Sequence, residues 1–292
     1  MRVGVAGLGK LGSAMAERLV DAGFDLKAWN RTPKPDADLG KVAGRSVASL
    51  EALADHAEAI VIVVRDDAAL REVAGKLAAR DLSGKVVAQM STVHPNAAIE
   101  AGRALAAAGA AFVDAPVSGT VGPAREGKLL ILASAEPGDL ARAKPVLDAL
   151  GRRTAHMGGV GKGSLMKLVV NQMLGIYWEA LSEALTVGQL GGLAVPQMLD
   201  TILDTSVGVP MLNAKRAFIE GRGGPVAFDL AGVRKDQLVM EQLAREMGLA
   251  TPATAATLSM VSAATAAGYG DKDVAELTRF WLDDMAGVAG KR

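Results

Sequence analysis

Arg2-Val3-Gly4-Val5-Ala6-Gly7-Leu8-Gly9-Lys10-Leu11-Gly12, continued by a helical stretch over 13–22, decides the fold. A β-branched run enters a glycine-rich turn, leaves it as a helix, and is followed by a second strand candidate at 26–29. In that setting the three glycines differ in what they allow. Gly7 permits the tight turn, Gly9 lets an anion approach the backbone, and Gly12 lets the helix lie against the strand. The unpaired N–H groups at the helix start point to the same place. The spacing predicts a site for the pyrophosphate of a dinucleotide, with Leu8, Lys10 and Leu11 joining the three glycines as cofactor contacts. The alternative is a glycine-rich turn with no ligand.

Outward from this loop, strand-like runs at 2–6, 26–29, 60–64, 85–90, 111–114 and 129–133 alternate with helical stretches at 13–22, 49–55, 66–79 and 95–108. That alternation predicts an α/β domain with a mostly parallel, doubly wound sheet. Ile60-Val61-Ile62-Val63-Val64 has no polar alternate, so both faces of its strand should be covered. From 163 onward the β-branched runs stop and helices bounded by Gly or Pro take over, the first of them spanning 163–191. We read that long helix as the bridge between two domains, a nucleotide-binding one at 1–162 and an all-helical one at 163–292. Pro145 interrupts the stretch 139–150 and can either kink or split a helix there.

Composition removes other classes of function. With no Cys there is no disulfide framework and no thiolate metal site, and the three histidines, His56, His94 and His156, have no metal-ligand spacing. Lys+Arg 32 against Asp+Glu 32, without a basic block, gives little electrostatic reason to bind nucleic acid. No apolar run reaches the roughly 18 residues that cross a bilayer. The expectation is a soluble cytoplasmic protein with no metal, nucleic-acid or membrane partner.

The end of the second strand addresses which dinucleotide is bound. NAD sites usually place Asp or Glu there to hold the ribose 2′-OH, whereas this chain has Asn30-Arg31-Thr32. Without a carboxylate to repel it, a 2′-phosphate can pair with Arg31 and accept from Asn30 and Thr32, so NADP(H) is expected over NAD(H). A solvated turn arginine is the other reading. Val64 ends the strand at 60–64 and Arg65 follows it, where it could meet a phosphate, a substrate acid group or only solvent.

Two further stretches carry chemistry. Asp114-Ala115-Pro116-Val117-Ser118-Gly119-Thr120 leaves the carboxyl end of a strand, where α/β sheets bind ligands, and its N–H groups and hydroxyls suit a carboxylate; it could also be an ordinary turn. In Gly158-Gly159-Val160-Gly161-Lys162-Gly163-Ser164-Leu165-Met166-Lys167-Leu168-Val169-Val170-Asn171, Lys167 and Asn171 share one helix face. Lys167 lies in the first turns, where the helix dipole disfavours an ammonium and attracts an anion. Such a lysine can give a proton to a carbonyl oxygen. A lysine snorkelling from a core helix is the plainer alternative. Lys235 and Asp236 lie in a charged run that ordinarily marks a solvated face.

Together these residues resemble the β-hydroxyacid dehydrogenase family, the group of 3-hydroxyisobutyrate dehydrogenase, tartronate semialdehyde reductase and the glyoxylate/succinic semialdehyde reductases. The resemblance runs over nearly the whole chain. It implies a Rossmann α/β domain followed by an all-α domain joined by a long interdomain helix, and a homo-oligomer built through the helices. It implies Lys167 as the catalytic lysine with Asn171 beside it, Ser118, Gly119 and Thr120 as the substrate loop, Thr92 at the nicotinamide half, and Lys235 and Asp236 at substrate and cofactor. Thr120 stands where the family commonly has a second glycine, which narrows the room for the substrate acid. The implied activity is NADPH-dependent, reversible reduction of small aldehyde or keto acids to hydroxy acids. An imine reductase or reductive aminase on the same scaffold, and a non-catalytic NADP-binding scaffold protein, are the rivals.

Overall fold

The computed structural model describes residues 1–286. Alternation of apolar runs with amphipathic stretches gives β1 (Arg2–Ala6), α1 (Lys10–Asp21), β2 (Asp25–Trp29), α2 (Leu50–His56), β3 (Ala59–Ile62), α3 (Asp67–Ala78), β4 (Val86–Gln89), α4 (Pro95–Ala107) and β5 (Ala111–Asp114). The five strands pair in parallel in the order β2-β1-β3-β4-β5. Every residue of β3 is buried, as its unbroken apolar run requires in a sheet covered on both sides. Val3, Val5 and Val61 pack with Met15 and Leu19 of α1, while Ile60 and Ile62 pack with Leu53, Leu70 and Leu105 of α2, α3 and α4 on the opposite face. The strand order changes direction at β1, so the loops after β1 and β3 flank the crevice where open α/β sheets take ligands.

After β5 the chain forms β6 (Val117–Ser118), α5 (Val121–Arg125), β7 (Leu129–Ala133), α6 (Pro137–Leu150) and β8 (Gly151–His156). Here the structure departs from the sequence reading, because the strand expected at 129–133 leaves the parallel sheet. It sits in the centre of a second, three-stranded sheet, antiparallel to β6 and parallel to β8. Pro116, which has no N–H to donate, follows β5, and the chain turns there; Asp114 and Ser134 exchange backbone hydrogen bonds of 3.0 and 2.7 Å where the two sheets meet. Pro145 lies within α6, which remains one helix.

α7 (Lys162–Leu190) opens the helical part and is followed by α8 (Val195–Leu203), α9 (Pro210–Ile219), α10 (Leu230–Glu246) and α11 (Pro252–Ala264). A turn at Thr265–Tyr269, kinked at Gly268 (φ 94°), and short helical turns from Val274 to Met285 follow α11. Trp178, Leu185, Leu199, Leu212, Leu230 and Val261 centre a core of their own. The chain divides into two compact units between Leu168 and Val169, inside α7 and beyond the boundary at 162 read from composition. The physical reason is that the first turn of α7 is bound to β5 and to the residue after β7, as described below. Among the described residues no helix is long and apolar enough to cross a membrane.

Candidate active site

The glycines after β1 separate by what surrounds them. Gly7 has φ +107°, and a Cβ there would lie 2.0 Å from the Val63 carbonyl oxygen; a Cβ on Gly12 would lie 2.0 Å from that of Gly7. Both are required by packing of the chain on itself. Gly9 is different: its backbone is extended (φ −67°, ψ −174°), it is the N-cap of α1 without a side-chain cap, and a Cβ would meet nothing within 4 Å. Open space over uncapped N–H groups is the cradle that a pyrophosphate fits.

Asn30 links this cradle to the end of β2. Its Oδ1 accepts from Leu8 N–H at 2.9 Å and its Nδ2 donates to the Thr32 carbonyl at 2.7 Å. Asn30 therefore braces the glycine loop, and Leu8 N–H is committed to it. Arg31 is 73% exposed, with only a 3.9 Å approach to Glu72. Leu8, Trp29, Asn30, Arg31, Lys34 and Ser46 line a cavity of ≈ 290 Å³ at the turn that follows β2. Lys34 is a member that sequence reasoning missed. Its signal was present in Asn30-Arg31-Thr32-Pro33-Lys34, a second cation three residues after the first.

On the neighbouring strand, Val64 N–H donates to Ser91 Oγ at 2.8 Å, and Asp66 caps α3 by accepting from Ala69 N–H at 2.9 Å, which leaves Arg65 exposed at the rim between them. Thr92 is half-buried just beyond β4. In the loop after β5, Ser118 ends β6 and is half-buried. Gly119 has φ +136°, and a Cβ would meet Leu129 Cδ2 at 2.7 Å, so only glycine fits. Thr120 is the N-cap residue of α5 but makes no side-chain cap hydrogen bond.

The start of α7 is fixed by a buried carboxylate. Asp114 Oδ2 accepts from Ser164 N–H at 2.9 Å, Gly161 N–H at 3.2 Å and Ser134 Oγ–H at 3.0 Å, while Oδ1 accepts from Ser164 Oγ–H at 2.7 Å and Gln89 Nε2 at 3.3 Å. Burial pushes this carboxyl above its ordinary range, and the hydrogen bonds from Ser164, Ser134 and Gly161 pull it back. Gly163 N–H donates to Ser134 Oγ at 2.9 Å, and a Cβ on Gly163 would stand 2.2 Å from the Leu132 carbonyl oxygen. The first turn of the helix is thus bound where the two sheets meet. Lys167 follows within a turn, half-buried, and Asn171 lies one turn further along the same helix.

Asn171 is buried and held on two sides. Its Nδ2 donates to Asp236 Oδ2, and its main-chain carbonyl accepts from Gln237 Nε2 at 2.9 Å. Asp236 is 3% exposed, and its other oxygen is 2.7 Å from Lys235 Nζ. The pair at 235–236 is therefore not a solvated charge run, and the carboxylate orients the Asn171 amide. Gln237, which sequence reasoning passed over, packs so closely that a Cβ on Gly175 would stand 2.2 Å from its amide nitrogen.

These features match known proteins. The family described as NAD binding domain of 6-phosphogluconate dehydrogenase matches residues 2–159, and that described as NAD-binding of NADP-dependent 3-hydroxyisobutyrate dehydrogenase matches residues 161–281. Glyoxylate/succinic semialdehyde reductase 1 of Arabidopsis thaliana is 31% identical over 284 residues, covering 94% of this chain and 96% of the relative. The 3-hydroxyisobutyrate dehydrogenase of Pseudomonas aeruginosa is 32% identical over 213 residues, 69% of this chain and 68% of that one. A crystal structure of a 3-hydroxyisobutyrate dehydrogenase from Salmonella typhimurium superposes with a TM-score of 0.83 at 28% identity, covering 96% of this chain and 99% of that one. Fold, phosphate cradle and matches define an NAD(P)-dependent oxidoreductase. The chain belongs to the β-hydroxyacid dehydrogenase family.

Proposed function

We propose that this hydroxyacid dehydrogenase works as an NADPH-preferring reductase of small carboxylic acids bearing an aldehyde or ketone, and that the reaction is reversible. Gly9 supports the cofactor half of the reading, since its open side is where a pyrophosphate can lie against α1. Preference for NADP(H) rests on Arg31 and Lys34, two cations on one cavity wall at a strand end that lacks a carboxylate. Val64, Arg65 and Thr92, at the ends of the adjacent strands, complete the proposed cofactor contacts.

Held by Gly7, Gly9, Gly12 and Arg31, a nicotinamide dinucleotide would supply the hydride chemistry at the carbonyl carbon. Lys167 gives its ammonium proton to the carbonyl oxygen as that oxygen becomes a hydroxyl, and takes it back in the oxidative direction. Ser118, Gly119 and Thr120 hold the acid group through N–H and hydroxyl donors. Asn171, steadied by Asp236 and one turn from Lys167 on α7, joins Ser118 and Gly119 in holding the acid. Lys235 is assigned to substrate and cofactor on family resemblance. The observation that carries the reading is a helix entrance pinned by Asp114 that presents Lys167 with Asn171 a turn behind it.

A row of exposed apolar residues on α7, Met166, Val169, Met173, Val187 and Leu190, supports assembly of a homo-oligomer through the helices.

The test follows NADPH absorbance against a panel of small aldehyde and keto acids, glyoxylate and succinic semialdehyde first, with cyclic imines as the rival set. Turnover of one acid at least tenfold above every imine is the expected result. Imines as the better substrates would convert the reading to an imine reductase, and no turnover of any compound would favour a non-catalytic scaffold.

A further inference from the structure

Asp114 sits at the centre of a buried chain of hydrogen bonds that serves no ligand directly. On one side it receives Gly161 and Ser164 N–H and the Ser164 hydroxyl, and so fixes the first turn of α7. On the other it receives Gln89 Nε2, which also donates to the Ser91 carbonyl at 3.1 Å, while Gln89 Oε1 accepts from Ser91 N–H. Ser91 Oγ in turn accepts from Val64 N–H at 2.8 Å. Val64 packs beside Gly7, where a Cβ would meet its Cγ1 at 3.7 Å. One set of hydrogen bonds therefore runs under the carboxyl ends of β3, β4 and β5, from Val64 to the helix that carries Lys167, and Val64 packs against the phosphate loop.

A buried carboxylate is costly in a protein interior unless fully hydrogen-bonded, and apolar packing would hold β5 to β7 at less expense. Its value lies in direction. Both oxygens accept, so the helix entrance can be seated in one register, with Gly163 against the Leu132 carbonyl and Lys167 three residues after Ser164.

We propose that Asp114 is a positioning residue for Lys167: by accepting from Gly161 and Ser164 it fixes the first turn of α7 and therefore where the Lys167 amine stands. The proposal rests on the reading of Lys167 as proton donor. Misplacing a catalytic group by about 1 Å costs on the order of 100-fold in rate.

The experiment is a double-mutant cycle on the full-length protein. Asp114→Ala, which removes the acceptors, should lower kcat about 100-fold, and Asp114→Asn should recover roughly tenfold of that, because the amide oxygen can still take the two backbone N–H groups. The Kd for NADPH, read by fluorescence quenching, should stay within about threefold of the parent's, since Gly9 and the cavity of Arg31 and Lys34 carry most of the proposed binding and neither is bonded to Asp114. In a Lys167→Ala background the same substitutions should leave the residual rate unchanged. The labelling rate of Lys167 by an amine-reactive reagent, followed by peptide mass spectrometry without cofactor, should differ between Asp114→Ala and the parent. Equal losses in both backgrounds, or an unchanged labelling rate, would overturn the proposal. Should Asp114→Ala not fold, Ser164→Ala removes one bond and should show the same dependence on Lys167 at about three- to tenfold. Normal turnover by Lys167→Ala alone would instead reject the lysine as proton donor, a result the labelling arm reads separately.

Discussion

Replacing Gly9 and Gly12 in turn by alanine separates what the fold requires from what the cofactor requires. At Gly9 the backbone is compatible with alanine and the new methyl meets nothing within 4 Å. The cofactor-free protein should lose no stability; a Gly-to-Ala change at a compatible site gains about 0.4–1 kcal/mol, or up to a few degrees in Tm for a unit of this size. In the proposed cofactor site the methyl would nevertheless stand on the open side of Gly9, where a pyrophosphate would lie. Two hydrogen bonds to a charged phosphate lost at about 1.5 kcal/mol each give about 3 kcal/mol, roughly 100-fold in Kd. At Gly12 the methyl would lie 2.0 Å from the Gly7 carbonyl oxygen, and α1 must move off β1. Overpacking of this kind costs on the order of 3 kcal/mol, a fall of roughly 6–12 °C. Scanning fluorimetry without cofactor and calorimetric titration with NADPH read the two effects. Gly9→Ala binding NADPH within about threefold of the parent, or melting as low as Gly12→Ala, would break the distinction between the two glycines.

Other outcomes follow from the same geometry. Arg31→Ala should raise the Michaelis constant for NADPH about 10- to 100-fold and that for NADH little, the worth of one charge-assisted contact to a 2′-phosphate; equal effects on both would defeat the NADP assignment. Met173 is 70% exposed on α7, and Met173→Glu should shift sedimentation toward monomer if the exposed row is an interface; an unchanged profile would place any interface elsewhere. Glu179, 6% exposed and bonded through Oε2 to Trp281 Nε1, is pushed by burial from 4.5 to about 7. The fold prefers its neutral form, so its contribution is fully present below pH 4.5 and is lost as pH rises through about 7. Glu179→Gln should therefore gain up to roughly 3 kcal/mol relative to the parent at pH 8 and show a flatter Tm profile between pH 5 and 8. Parallel profiles for the two proteins would remove the charge from the account.

The parts of the fold legible in the sequence are those where local chemistry admits one solution. Gly7 and Gly12 are dictated by close backbone approach, β3 by an unbroken apolar run, and the start of α7 by the end of β-branched runs. β8 was not legible, because Gly151-Arg152-Arg153-Thr154-Ala155-His156 is an edge strand with an exposed polar pattern and pairs only through its backbone. β7 was visible as a strand but not as a member of another sheet, since one of its partners is only two residues long and the other carries an exposed polar pattern. The site shows the same division. Lys167 and Asn171 share a face by helical spacing, whereas Asp236, 65 residues beyond Asn171, reaches it only through tertiary packing. Asn30 read as a phosphate ligand, and its bond to Leu8 N–H became visible only once β1 and β2 were side by side.

The decisive experiment is single-turnover reduction of the best acid substrate by Lys167→Ala, with NADPH binding measured on the same sample. Loss of about 10²- to 10⁴-fold in the chemical step with Kd for NADPH kept within about threefold is the expected result. A rate near that of the parent enzyme would contradict the assignment of the proton to Lys167.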